Sequence, residues 1–297
     1  MEELFNKCNI CPRECNVNRN KGEIGYCGAS NKIKIGGYHL HMWEEPIITG
    51  KNGSGTIFFS YCNLRCIYCQ NYDISINNNG EEISIERFSD ICLLLQEMGA
   101  ENINLVTPSH YIPLIREGLI MAKRKGLIIP IVYNTSGYDK VNSLKLLDGL
   151  VDIYLPDFKY YDKELNKYSN VNNYFEITRE ALKEMYRQVG RPVIKKGIMK
   201  RGVIVRHLVL PSHIDDSKRV IKYLFDNYGN NIYLSIMNQY TPIRRCKYLE
   251  LNNRVSEEEY DEIIDYAYDF GVRKCFVQDK ESQEESFIPV FKGDSVI

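Results

Sequence analysis

Seven of the ten cysteines in this 297-residue chain, Cys8, Cys11, Cys15, Cys27, Cys62, Cys66 and Cys69, fall within the first 69 positions. An ordinary hydrophobic core does not concentrate thiols so unevenly. Met1-Glu-Glu-Leu-Phe lacks the basic n-region of a secretion signal, so the expected compartment is the cytoplasm. In that reducing environment, clustered cysteines point to metal rather than to disulfides. Lys plus Arg (38) and Asp plus Glu (39) leave a net charge of −1, too little to draw the protein onto nucleic acid or an anionic membrane. No apolar run approaches the roughly 18 residues that span a bilayer.

Two kinds of chain follow one another. Residues 1–55 are rich in Cys, Gly and Asn, with short β-like pieces at Ile33-Lys-Ile and Tyr38-His-Leu-His but no amphipathic helix. Something other than a core of its own must hold this segment. From Thr56 onward, apolar runs alternate with helical periods, the pattern of βαβ units on a parallel sheet. The predicted strands are Thr56–Ser60, Asn102–Val106, Ile128–Tyr133, Val151–Leu155, Val203–Val209, Ile232–Ile236 and Lys274–Val277. Between them, Phe88, Ile91, Cys92, Leu95 and Met98 share one face of a predicted helix over 86–98, and Ser256 with Glu259 makes a capping box. Such units suit a doubly wound sheet or a whole or partial barrel, each with its active site at the carboxyl ends of the strands.

Directly after the first of these strands stands Tyr61-Cys62-Asn63-Leu64-Arg65-Cys66-Ile67-Tyr68-Cys69-Gln70-Asn71, three thiols in a C-x3-C-x2-C spacing. A structural zinc needs four protein ligands, so the triad is one short of a closed site. A four-iron cubane on three thiolates leaves one iron open to a substrate's amino and carboxylate groups. Asn63, Arg65 and Gln70 make the stretch too polar for a core strand with incidental cysteines. Cys8, Cys11, Cys15 and Cys27 form a separate C-x2-C-x3-C-x11-C set, enough to close a zinc site or to ligate a second iron–sulfur cluster. Cys92, Cys246 and Cys275 suit core or incidental positions, and His39 and His41 read as structural.

The C-x3-C-x-aromatic-C pattern, with Tyr68 as the aromatic residue, resembles the hallmark of the radical S-adenosylmethionine (SAM) superfamily. Within it the chain is similar to the pyruvate formate-lyase activating enzymes, and more so to their PflX-like relatives. That similarity runs through Cys8-x2-Cys11-Pro-Arg-x-Cys15, Glu44-Glu-Pro, Asn104-Leu-Val-Thr-Pro-Ser-His-Tyr111, Val132-Tyr-Asn-Thr-Ser-Gly-Tyr138, Asp152-Ile-Tyr-Leu-Pro-Asp-Phe-Lys-Tyr160 and Arg206-His-Leu-Val-Leu-Pro211. The resemblance implies a partial (β/α)6 TIM-type barrel over residues 56–297, preceded by a Cys-rich, metal-binding extension over residues 1–55. It also implies a 4Fe-4S cluster on Cys62, Cys66 and Cys69 that cleaves SAM to methionine and a 5′-deoxyadenosyl radical.

The same resemblance assigns expectations to the strand ends. Many family members hold the SAM amino group with Gly-Gly-Glu, where this chain has Val106-Thr107-Pro108-Ser109-His110. Thr107 and Ser109 are the candidate acceptors there, against an ordinary strand-to-helix turn. Asn134-Thr135-Ser136 stands where the activases carry Asp-Thr, and Asp157-Phe158-Lys159 where they carry Asp-x-Lys. Together these imply a monovalent cation beside the SAM carboxylate, with one carboxylate fewer because of Asn134. Arg206 matches an arginine that forks onto SAM, and Met237-Asn238-Gln239-Tyr240 replaces a later SAM-contacting histidine.

The basic stretch from Arg187 to Arg206, with Lys195, Lys196 and Lys200, is the expected dock for an acidic flavodoxin or ferredoxin, against the alternative of a solvated face. Three functions follow in order: a glycyl-radical-enzyme activase, a radical SAM enzyme acting on another peptide or a small metabolite, and an electron carrier without SAM chemistry.

Overall fold

The computed structural model describes residues 2–242 and 244–278. Each predicted strand has its counterpart: β2 (Ser54–Phe59), β4 (Ile103–Val106), β5 (Ile131–Thr135), β6 (Ile153–Pro156), β8 (Ile198–Leu208), β9 (Tyr233–Met237) and β10 (Cys275–Phe276). These run parallel, in the order β10-β9-β8-β6-β5-β4-β2. Helices fill the crossovers: α3 (Ile85–Glu97), α4 (Ile112–Arg124), α6 (Tyr174–Val189), α7 (Ile214–Tyr228) and α8 (Glu257–Phe270), the last opened by the Ser256–Glu259 capping box. The buried face of α3 carries Phe88, Ile91, Cys92 and Leu95, the stripe that its sequence period predicts. Met98 is instead exposed, because the helix ends at Glu97 and Gly99 turns the chain away.

The sheet curls into an open barrel. Phe58 and His41 at one end and Phe276 at the other line a single cavity with Val106, Asn134 and Leu208 from the middle. A flat sheet could not bring them together. Inside the curl, Val132, Ile153, Leu155, Met199 and Ile204 form a small apolar cluster around Ile48.

Ile48 comes from the extension, part of which is built into the barrel. β1 (Ile33–His41) pairs antiparallel with β2, and β3 (Glu81–Ile83) pairs with β1 in turn. The chain then turns under the lumen, where the short helix α1 (Pro46–Thr49) presents Ile48 as a plug. Phe5 and Ile10 join the main core outside the sheet, so even the first turns lean on the barrel for burial.

β7 (Val193–Lys195) and the start of β8 form a hairpin whose turn is Lys196-Gly197, both at positive φ. Two such residues suit a tight hairpin, and glycine carries the second at no steric cost. Its turn lies at the start of β8, roughly 26 Å along the strand from Arg206 at ~3.3 Å per residue. Lys195 and Lys196 are exposed there, at the opposite end of the barrel from the strand ends where a cluster would be reduced.

Two buried histidines tie loops to the sheet as neutral rings. His110 Nε2 bonds the Ser60 carbonyl at 2.8 Å, and burial depresses its pKa to about 3. His207 bridges the Phe158 carbonyl (2.8 Å) and Ser217 Oγ (2.9 Å), with burial lowering its pKa to about 4. Because both folded values lie below the ordinary one near 6.5, their contribution is complete above that pH and is lost as pH falls toward the folded values. Each histidine should cost about 2 kcal/mol at pH 5. Asp216, whose carboxyl burial raises to about 6, works in the opposite sense. Urea denaturation at pH 7.5 and pH 5 should therefore show a net loss of stability with proton uptake on unfolding smaller than two. No loss would mean that the rings are charged in the folded state.

Candidate functional site

Between Phe59 at the end of β2 and α2 (Tyr72–Ser75), the chain has neither helix nor strand. Tyr61 (φ 72°) and Arg65 (φ 58°) take left-handed turns rarely adopted by side-chain-bearing residues. So contorted, the loop brings Cys62, Cys66 and Cys69 to one cavity. Each sulfur has a hydrogen-bond partner able to donate to a thiolate: the Leu64 N–H at 3.4 Å from Cys62, Ser169 Oγ at 3.0 Å from Cys66, and Ser75 Oγ at 3.2 Å from Cys69. Burial pushes the Cys66 thiol up to about 12 and the Cys69 thiol to about 11, with Cys62 adding to both. The donors are suited to thiolates, the form that a metal selects. Three thiols with donors, facing a cavity, fit a cluster with one open iron.

That cavity, about 440 Å³, also takes in Tyr68, Thr107, Asn134, Thr135, Ser136, Asp157, Lys159 and Arg206. Of the strand-end residues singled out from sequence, Ser109 and Asn238 are outside its lining. Ser109 is buried behind it, 3.2 Å from Thr135 Oγ1. Thr107 is held at φ 61° with its N–H on the Asn134 carbonyl (2.9 Å), an unusual state for a β-branched residue.

Two of the groups expected to ligate a monovalent cation, Thr135 and Asp157, have protein partners. Thr135 Oγ1 donates to Asp139 Oδ2 at 2.6 Å, and Tyr133 OH donates to Oδ1 at 2.9 Å. Burial raises the Asp139 carboxyl despite these hydroxyls. Asp157 pairs with Lys159 at 2.5 Å, their side chains 23% and 11% exposed, so this is a pair in the cavity wall rather than on the surface. Burial alone would depress the Lys159 ammonium, but Asp157 and Cys66 hold it well above its ordinary range.

Arg206, matched from the sequence to an arginine that forks onto SAM, lines the cavity, and its Nε and Nη2 bond both oxygens of Glu45 (2.8 and 2.7 Å) while Nη2 also bonds Glu44. Burial would raise the Glu45 carboxyl, yet Arg206 holds it below the usual carboxylate range. Asn104 Nδ2 donates to Glu44 at 2.7 Å. In the sequence, Glu44-Glu-Pro carries only a resemblance. A pair of acids ahead of a helix-starting proline reads as a local N-terminus, and its buried partner is 161 residues away in sequence.

The N-terminal cysteines lie against the triad loop. Their sulfurs also have donors: Arg19 Nη1 near Cys8 (3.9 Å), the Arg13 N–H for Cys11, the Tyr26 N–H for Cys15 (3.3 Å) and the Ala29 N–H for Cys27 (3.5 Å). A Cβ added to Gly25 would stand 3.0 Å from Cys15 Sγ. Arg13 Nε donates to the Asn63 carbonyl (2.8 Å), Tyr26 OH to the Leu64 carbonyl (3.2 Å), and Arg65 Nη2 to the Cys27 carbonyl (3.2 Å). Among the described residues, no three His, Cys, Asp or Glu side chains stand at single-ion spacing. Both sets therefore offer donors in proximity rather than a finished coordination sphere.

Residues 56–224 match the family model described as the Radical SAM superfamily. The uncharacterized protein MJ0674 of Methanocaldococcus jannaschii is 31% identical over 288 residues, covering 91% of this chain and 77% of its own. A radical SAM methyltransferase from Sphaerobacter thermophilus superposes with a TM-score of 0.51 at 15% identity, over 76% of this chain and 66% of its own. Streptococcus suis SuiB, bound to precursor peptide SuiA, gives 0.54 at 12% identity, over 74% and 47%. These two likenesses concern the fold alone, and the chain spans less than two thirds of either solved chain. No helix among the described residues is long and apolar enough to cross a membrane.

Arg206→Met would leave two carboxylates buried without their cation and should destabilise the protein by about 3–5 kcal/mol in urea denaturation. Adding Glu44→Gln and Glu45→Gln should recover most of that loss. A single-variant loss below about 1 kcal/mol would show that this charge cluster does not hold the barrel floor.

Proposed function

The chain belongs to the radical SAM superfamily, and from that premise we propose that it cleaves SAM reductively at a 4Fe-4S cluster held by Cys62, Cys66 and Cys69, and uses the resulting radical to take hydrogen from a polypeptide partner. The substrate favoured is a glycine Cα of a glycyl radical enzyme. One observation carries the reading: the three thiols open onto the same 440 Å³ cavity as the polar residues of the strand ends. A cluster that only carried electrons would need no such cavity.

When bound, the cluster supplies one electron to the SAM sulfonium, giving methionine and the 5′-deoxyadenosyl radical. The chain's own residues hold and enclose. Cys62, Cys66 and Cys69 would hold the cluster, and three protein ligands would leave it able to bind the amino acid end of SAM. Thr107, Asn134 and Ser136 offer neutral polar groups at the strand ends, and the Asp157–Lys159 pair offers both charges. Tyr68, Val106, Leu208, Met237 and Tyr240 supply walls that keep water and stray hydrogen donors from the radical. Arg206 acts through Glu44 and Glu45, fixing the floor below.

A cavity at the small end of the usual range for ligand sites is largely filled by a nucleoside-sized cofactor. The substrate must then enter as something narrow, which a glycine-containing stretch of backbone satisfies. The electron would come from a donor of flavodoxin or ferredoxin type.

Protein reconstituted anaerobically with iron and sulfide should yield 5′-deoxyadenosine and methionine in equal amounts from SAM and dithionite. Cys62→Ala, Cys66→Ala and Cys69→Ala should each abolish both products, and a wild-type protein with a verified cluster but neither product would overturn the proposal. With a glycyl radical enzyme present, electron paramagnetic resonance should show a glycyl doublet. SAM cleavage without that doublet, together with hydrogen loss from another peptide or a small metabolite, would move the substrate assignment there.

A further inference from the structure

A row of three hydroxyls runs from the Cys66 sulfur into the cavity wall. Ser169 Oγ lies 3.0 Å from Cys66 Sγ, Tyr160 OH lies 2.9 Å from Ser169 Oγ, and Tyr68 OH lies 2.5 Å from Tyr160 OH. Ser169 and Tyr160 are essentially inaccessible, at 0% and 1% exposure, so water does not stand in for either partner. Tyr68 forms part of the cavity lining.

Each hydroxyl has one proton, which makes the row directional. A metal-bound Cys66 is a thiolate with no proton, so Ser169 must donate to it. Having used its only proton, Ser169 accepts from Tyr160, and Tyr160 by the same reasoning accepts from Tyr68. The Tyr68 oxygen is left with its proton directed inward and its lone pairs toward the cavity. In the metal-free protein, a protonated Cys66 can donate to Ser169, and the order is free to reverse.

We infer that Ser169, Tyr160 and Tyr68 form a one-way hydrogen-bond chain that sets the reduction potential of the Cys66-bound cluster and links it to the cavity. Hydrogen bonds to cluster sulfurs favour the more negatively charged, reduced state. A donor that is itself hydrogen-bonded is polarised and becomes stronger. Ser169 touches the ligand, whereas Tyr160 and Tyr68 are positioning residues that act through it. Lys159, the charge that most favours the Cys66 thiolate, is left in place by changes along this row and so serves as an internal constant.

The inference rests on the cluster assignment made above. Its test is a potentiometric titration of reconstituted full-length protein, followed by electron paramagnetic resonance of the signal that is lost in Cys62→Ala. At the potential where half of the wild-type cluster is reduced, Ser169→Ala should lower the reduced-to-oxidised ratio about three- to tenfold, tenfold being 59 mV for one electron. Tyr160→Phe should shift it in the same direction by less, Tyr68→Phe by least, and Ser169→Thr should restore the wild-type value. Ratios within twofold of wild type in both Ser169→Ala and Tyr160→Phe would overturn the inference. So would a Ser169→Thr shift as large as that of Ser169→Ala, since packing would then be the cause. If Ser169→Ala fails to assemble the cluster, Tyr160→Phe decides alone, because it touches no ligand. Absence of any Cys62-dependent signal in the wild type would remove the cluster assignment itself, whereas unchanged potentials would remove only the chain.

Discussion

The residues that define the chemistry sit on a stretch of backbone that cannot hold itself in place. Between Tyr61 and Asn71 there is no ladder to satisfy the peptide groups, and two residues there occupy left-handed turns. Such a loop persists only where its surroundings over-determine it. Here they do so from several sides: Arg13 and Tyr26 take the Asn63 and Leu64 carbonyls, the Asn63 amide reaches the Tyr138 carbonyl, the Ile67 N–H bonds the Tyr168 carbonyl, and Gln70 spans to Gln239. The N-terminal cysteine segment therefore has a mechanical task of its own. It supplies cationic and phenolic donors to a loop that has spare acceptors.

A second constraint comes from charge. Strand ends that line a cavity bring polar side chains out of water, and each needs a partner within reach. The protein meets this with closed local sets. Asp139 collects the hydroxyls of Tyr133 and Thr135, Asp157 takes Lys159, and Arg206 takes Glu44 and Glu45. Much of the polarity that looks available to a ligand in the sequence is thus already committed in the fold.

How far the sequence could be read follows from the range of each interaction. The parallel strands, the α3 stripe and the Ser256 capping box depend on neighbours a few residues apart, and all were legible as periodicity or spacing. The C-x3-C-x2-C spacing of Cys62, Cys66 and Cys69 was legible as a pattern of its own, and residues 56–224 match the Radical SAM superfamily. The role of Glu45 was not, since its meaning depends on Arg206 far along the chain, and a pair of acids before a proline looks like any helix start. Arg206 itself was recognised as important, but the group it binds could not be known without the fold. Asp139 was missed because nothing local marks a carboxylate that will be buried among hydroxyls. The basic hairpin was visible as composition, whereas its place at the far end of the barrel depends on which end of β8 it precedes.

The chain's passage beneath the lumen separates two boundaries that are easily equated. The stretch shared with the superfamily begins at residue 56 and ends at 224. The closed floor, however, needs Ile48 and the two glutamates from before it, and the cavity wall needs Met237 and Phe276 from after it. A fragment trimmed to the shared stretch would keep Cys62, Cys66 and Cys69 and yet have a lumen open to water from below. What is inherited as a recognisable module is here smaller than what folds as one.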